Sequence, residues 1–288
     1  MVPIPQTQNV NPLTSLMRQP KIYIKLPSNG NYWTPGSLTP AVNGEYPVYS
    51  MTARDELLLK TPDALMNGQA VVDIIQSCMP NIINAWEMPN IDTDAILIAI
   101  RLATYGDHMD TSFKIGEEEM TYSIDLRTVL DSLYSTTEWD ERIDIGTEIA
   151  VYVKPVGYRA ASKTSIQNFE TQKLISLVSD STLSEEEKIN TFKDSFKKLT
   201  DISVGIIQNS VYKIESAVGT TDNPEFIKEF MENCDKSIFE AIKQHLDRLR
   251  EKNTLKPFRV KSTPEMIAAG AAEEMDIPIT FDPANFFG

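Results

Sequence analysis

Residues 50–106 constrain the fold more than any other part of the sequence, because helix starts and stops are clearly marked there. Thr52 is expected to cap the N-terminus of a helix, because acidic residues that suit the positive end of the helix dipole follow it. The pair Asn67 and Gly68 indicates a helix end, since glycine adopts the left-handed backbone that such ends need. A stretch that is apolar on nearly every side then runs to Gly106. It is too short to cross a bilayer and is typical of a buried central helix.

Two positions of that central helix carry specific expectations. Asp92 or Thr93 is expected to cap its N-terminus. Arg101 interrupts its apolar surface. The guanidinium either reaches solvent on its long aliphatic stem or pairs with a buried acid that fixes the helix register. An earlier helix is expected to begin at Thr61 and Pro62, because proline suits the first helical position.

Shorter elements are predicted on both sides of this helical cluster. Residues 21–50 alternate polar and apolar side chains between turn signals, which indicates short strands. Residues 111–124 indicate a hairpin around Gly116. A short helix is expected over residues 126–134 and a strand over residues 149–153.

From residue 158 to residue 252 the apolar residues recur at spacings of three and four, which suits either a helical bundle or an interface coiled coil. The bundle is favoured, because no stripe is sustained over four heptads. One such stripe joins Ile207, Val211, Ile214 and Val218. The predicted fold class is therefore α+β and predominantly α: a compact helical cluster with small β-hairpins, followed by a helical-bundle region.

This pattern predicts four segments. Residues 1–20 are rich in Pro, Asn, Gln and Thr and are expected to form a flexible N-terminal arm. Residues 21–157 form the domain of strands, helical cluster and acidic hairpin, and residues 158–253 the helical region. Residues 254–288 form a C-terminal strand, a helix over residues 264–274 and an aromatic tail. That tail is expected to dock either on this chain's own core or on a partner, because free apolar tails are costly in water.

The net charge of −14 over 288 residues argues against binding to nucleic-acid phosphates or to anionic membranes. The first acid is Glu45, so the arm before it is mildly basic. No signal-peptide pattern is apparent, which predicts synthesis in a cytoplasm. The basic arm and the aromatic tail supply the candidate partner-binding residues, which are Arg18, Lys21, Phe281, Phe286 and Phe287.

Chemistry-bearing residues are few. The two histidines and the two cysteines do not form a recognisable catalytic or metal-binding pattern. His245, Cys78 and Cys234 lie on apolar helical stripes, where packing explains them, and both thiols are expected to be reduced. The sequence therefore predicts a protein that is not an enzyme and that holds no cofactor and no metal.

Three stretches of the sequence carry a family resemblance. The stretches are TARDELLLKTPDALMNGQAVVDIIQSC (residues 52–78), AILIAIRLATYG (residues 95–106) and YSIDLR (residues 122–127). They resemble the T-even-like bacteriophage baseplate (hub) protein family. Many relatives in that family carry a C-x-x-C pair in the hairpin before the last stretch. Here the hairpin reads FKIGEEEMTY, so a turn without metal is expected.

The resemblance implies a structural component or assembly factor of the baseplate hub of a contractile tail, located in the virion. Its partners would be other phage tail or baseplate proteins, such as the hub or the tape measure. Association with further copies of the chain stays open. The alternative is a tail assembly chaperone for the tape measure protein, which acts in the host cytoplasm and is absent from the mature virion.

Overall fold

The chain folds around two hydrophobic cores. The structure, a computed structural model, describes residues 13, 16–61, 68–115, 118–134, 139–179, 185–268, 270–277, 279 and 286. Within these residues there are nine α-helices and ten β-strands. None of the helices in this described part is long and apolar enough to cross a membrane. The predicted α+β class is confirmed.

The first core is built mainly by the helical cluster that the sequence marks. Its elements are a pair of antiparallel strands and three helices: β1 (Pro20–Ile24), β2 (Tyr46–Tyr49), α1 (Ala53–Leu58), α2 (Gln69–Cys78) and α3 (Asn90–Tyr105). The hydroxyl of Thr52 accepts from the backbone N–H of Asp55, and the Asp55 carboxylate accepts from that of Thr52, which confirms the predicted cap. The helix expected to begin at Thr61 and Pro62 lies largely outside the described residues.

Helix α3 is the centre of the first core. All of its residues from 95 to 103 are buried, and it ends at Gly106, as predicted. Its start differs from the expectation, because it begins at Asn90 after Pro89 and has no side-chain cap. Asp92 therefore lies inside the helix, where it is fully buried and binds a different part of the chain.

A hairpin and a short helix complete this half of the molecule. Strands β3 (His108–Ile115) and β4 (Glu118–Asp125) pair antiparallel, and α4 (Leu126–Tyr134) follows at once. The hairpin and the helix were both predicted. The turn at Gly116 lies outside the described residues.

The second core lies against a four-stranded antiparallel sheet in the order β5-β6-β7-β8. The strands and the two helices that cover them are β5 (Arg142–Ile145), β6 (Ile149–Val153), β7 (Val211–Ser216), β8 (Gly219–Thr221), α7 (Pro224–Asn233) and α8 (Lys236–Asn253). The side chains that fill this core come from both sides of residue 157. The predicted segment limits stay predictions, but the sheet joins residues that they separate.

The helix predicted through Val211 and Ile214 is wrong, because these residues form β7. The register explains the error. Val151 pairs with Ile214 and Val153 with Val211, so one residue of β7 bulges out between the two pairs. Val211 and Ile214 are therefore buried on the same side at a spacing of three, which resembles a helical stripe.

Two long helices connect the neighbouring strands β6 and β7. They are α5 (Tyr158–Ser179) and α6 (Glu185–Ser210), and they pack against each other. The two ends of this connection meet, since the N–H of Lys154 donates to the carbonyl of Ser210 over 2.8 Å. The pair is called the α5–α6 hairpin below.

The end of the chain returns to the first core. Strand β9 (Phe258–Lys261) pairs with β10 (Glu274–Ile277), and the short helix α9 (Pro264–Ala268) lies between them. The helix predicted over residues 264–274 is thus too long, because Glu274 already belongs to β10. Buried side chains of β9, β10 and Phe286 join the first core.

Candidate partner-binding surface

The structure distributes the five predicted partner-binding residues among different environments. Phe281 and Phe287 lie outside the described residues. Lys21 is exposed on β1. Phe286 is only 2% exposed and packs in the first core. The aromatic tail was expected on either this chain's own core or a partner. Its one described residue, Phe286, lies on this chain's own core.

Arg18 is tied into the fold. Its guanidinium donates to the carbonyl of Ser50 over 2.7 Å and to the hydroxyl of Ser77 over 3.0 Å. It also lies 3.7 Å from the Asp55 carboxylate. These bonds and β1 hold residues 18–20 in the fold, while the arm predicted over residues 1–20 lies largely outside the described residues and stays a prediction.

Arg101 takes neither of the two positions expected for it. Its side chain is buried, and its guanidinium donates to the backbone carbonyl of Phe286, which is 185 residues away in the sequence. The guanidinium lies 5.3 Å from the ring centre of Tyr105 and 5.3 Å from that of Phe286. Arg101 thus holds the end of the chain against α3.

The surface best suited to a partner lies on the α5–α6 hairpin, which the candidate set missed. Four of its large apolar side chains are exposed to solvent: Phe169, Leu174, Ile189 and Phe196. The ring of Phe196 is 60% exposed. Ile189 and Phe196 are seven residues apart and so lie on one face of α6. The sequence shows this stripe, but it joins these two residues to Phe192 and Leu199, which are partly buried here.

A groove runs along α5 where the hairpin leaves the first core. It encloses about 660 Å³ and is lined mainly by small or apolar side chains, among them Val71, Ile166 and Phe169. Gly68 allows α5 to approach at one end. A Cβ there would lie 2.7 Å from the hydroxyl of Ser162, and the φ of Gly68 is +77°, which disfavours any other residue.

The hairpin differs from the rest of the chain in charge. Its two helices carry seven basic residues (Arg159, Lys163, Lys173, Lys188, Lys193, Lys197 and Lys198) and six acidic ones (Glu170, Glu185, Glu186, Glu187, Asp194 and Asp201). The whole chain has a net charge of −14. A partner that approaches the hairpin therefore meets a nearly neutral apolar surface on an otherwise acidic protein.

The residues with the most reactive side chains serve packing. Cys78 is fully buried, and burial raises the pKa of its thiol to about 12, so the thiolate needed for nucleophilic attack does not form near neutral pH. The imidazole Nε2 of His245 lies 2.8 Å from the carbonyl of Asp140. Within the described ranges, no three His, Cys, Asp or Glu side chains are placed to hold a metal ion.

A comparison of the sequence with known protein families identifies the family of the chain. A family model described as T4 bacteriophage base plate protein matches residues 17–263. The chain belongs to this family. It is thus a phage baseplate protein, a class found in the virion tail alongside other tail proteins. No curated protein and no solved structure matches the chain.

Proposed function

We propose that this baseplate family member is a non-enzymatic structural component or assembly factor of the baseplate hub of a contractile tail. It acts through protein–protein contacts. The proposal rests on one observation above all, the exposed apolar side chains of the α5–α6 hairpin. Large apolar residues grouped on one element are typical of surfaces that another protein covers.

The hairpin is suited to such contacts by its length as well as its surface. At 1.5 Å per residue, its helices are ~33 and ~39 Å long. Aromatic side chains such as Phe169 and Phe196 each contribute a large apolar area when a partner covers them. The low net charge of the hairpin removes the repulsion that another acidic protein would meet elsewhere on this chain.

The preferred partners are other phage tail or baseplate proteins, with the hub and the tape measure as the leading candidates. Nucleic acid and membranes are not part of the proposal, because the negative net charge disfavours contact with phosphate groups. The place of action is the virion baseplate.

Two experiments test this proposal. Mass spectrometry of purified virions should find the chain at a fixed stoichiometry. Its absence from virions would overturn the structural role and favour the alternative, a tail assembly chaperone for the tape measure protein.

The second experiment changes the surface. Phages that carry Phe196→Ser should incorporate less of the protein into virions or form fewer intact tails. The matched control is Phe226→Ser, because Phe226 is also 60% exposed but lies on α7. Equal incorporation of the two variants would contradict the role assigned to the hairpin.

A further inference from the structure

A cavity lies at the joint between the two cores. It has a volume of about 230 Å³, is open to solvent on one side, and is bordered by the start of α3, the segment after β6 and the C-terminal turns of α8. Its walls combine apolar side chains, which are Ile91, Trp139, Pro155, Val156 and Leu246, with a few polar ones. Its volume is several times that of a water molecule.

Asp94 is the charged group of the cavity wall that lacks a partner. Among the described residues, nothing donates a hydrogen bond to its carboxylate or forms an ion pair with it. Burial alone raises the pKa of Asp94 to about 6. Asp92, which lies two residues earlier in α3, has a different environment. Asp92 is fully buried, whereas Asp94 is partly exposed, and Asp92 accepts from the N–H and hydroxyl of Ser28 and from the indole of Trp33.

The other buried polar groups of the wall offer acceptors, because their donors are already used. The indole N–H of Trp139 donates to a backbone carbonyl over 3.0 Å, and the Ser210 hydroxyl donates to one in its own helix over 2.9 Å. The amide nitrogen of Asn253 does the same over 2.8 Å, while its amide oxygen is buried with no hydrogen-bond partner. Arg250 lies at the exposed rim, where it pairs with Asp247 over 3.4 Å.

We propose that this cavity binds a primary alkylammonium group, with the Asp94 carboxylate as counter-ion and the Asn253 amide oxygen as a second acceptor. An ammonium carries three donors and no acceptor, which complements a wall whose acceptors are free. Its alkyl chain would lie against the apolar walls. Calcium sites usually combine several carboxylates, whereas Asp94 is the only carboxylate among the described lining residues.

Such a group has two sources. It is either the side chain of a lysine from a neighbouring tail protein or a free alkylamine. The site itself does not depend on the proposed function, but the lysine source does.

Titration of the full-length protein with n-butylammonium chloride tests the site. The side-chain carboxyl of Asp94 is followed by NMR as the pH is varied. Because the ammonium favours the ionised carboxylate, saturating ligand should lower the pKa of Asp94 by about one unit, which corresponds to tenfold tighter binding to the ionised form. Binding should weaken as the pH falls below about 6, where Asp94 becomes protonated. An unchanged pKa at saturating n-butylammonium overturns the proposal.

Matched variants supply a second readout. n-Butylammonium should raise the melting temperature of the unmodified protein and of Asp247→Asn, but not that of Asp94→Asn. n-Butanol, which has the same chain without the charge, should have no such effect. An equal rise for Asp94→Asn sinks the assignment. If Asp94→Asn does not fold, the NMR titration of the unmodified protein decides.

Carbodiimide treatment of purified virions distinguishes the two sources. The reagent joins a carboxylate and a contacting amine as an amide, with loss of water. A peptide cross-linked through Asp94 to a lysine of another protein identifies a neighbouring subunit. An adduct of Asp94 with a small amine identifies a free ligand. Failure of the virion experiment alone, with a positive butylammonium titration, would refute the lysine source and leave the site intact.

Discussion

The position of Phe286 leads to a test of how the end of the chain is held. Phe286→Ala removes a ring that is 2% exposed in the first core. Substitutions of buried phenylalanine by alanine cost ~3–5 kcal/mol, because they lose burial and leave a cavity. At ~2–4 °C for each kcal/mol in a protein of this size, the melting temperature should fall by roughly 6–20 °C.

Circular dichroism during thermal unfolding measures this shift. Phe226→Ala is the control, since its exposed ring should change stability by less than ~0.5 kcal/mol. A melting temperature of Phe286→Ala that matches this control would refute the docking of the tail on the first core.

A double-mutant cycle then tests the contact with Arg101. The Phe286 ring lies beside the Arg101 guanidinium, and such contacts contribute ~0.5–2 kcal/mol. The loss in free energy of unfolding caused by Phe286→Ala should therefore be ~0.5–2 kcal/mol smaller in the Arg101→Met variant than in the unmodified protein. Purely additive effects would show that the ring and the guanidinium are not coupled.

Three further substitutions test other parts of the structure. Ile98→Asp should unfold the protein, because it places an unpaired carboxylate on a fully buried site of α3. A variant with an unchanged melting temperature would exclude α3 as the core helix. Asp92→Ala should lower the free energy of unfolding by ~2–5 kcal/mol in chemical unfolding, since it leaves buried donors such as the Trp33 indole unpaired. An unchanged free energy of unfolding would contradict the role of these hydrogen bonds. Glu141→Gln should weaken the joint between the cores, because the Glu141 carboxylate accepts from the hydroxyl of Tyr32 over 2.5 Å. Faster proteolysis near residue 139 is expected, and an unchanged cleavage rate counts against the joint.

The parts of the fold that were predictable depend on local signals. The cap at Thr52, the helix end at Gly106 and the α4 helix all follow from neighbouring residues, and the structure confirms each. The candidate site was less predictable. The stripe of α6 is evident in the sequence, but spacing alone does not tell which of its residues face α5 and which, like Phe196, face solvent.

The parts that were not predictable depend on distant partners. The spacing of Val211 and Ile214 indicates a helix as well as a bulged strand, and only the pairing with β6 distinguishes them. Similarly, no local pattern shows that Arg101 donates to the carbonyl of Phe286. Tertiary contacts override local preference at both places.

The position of the α5–α6 hairpin within the sheet also bears on how the chain reaches its fold. The strands β6 and β7 are neighbours, yet residues 154–210 separate them in the sequence. Closing a flexible loop of this length costs on the order of 3–4 kcal/mol in chain entropy. Helices form within microseconds, so a hairpin that pairs early would bring the two strands together before they bond. Polar substitutions on its inner face, at Phe192 or Leu199, should therefore slow folding of the sheet. Substitutions at the exposed Phe196 should leave the folding rate unchanged.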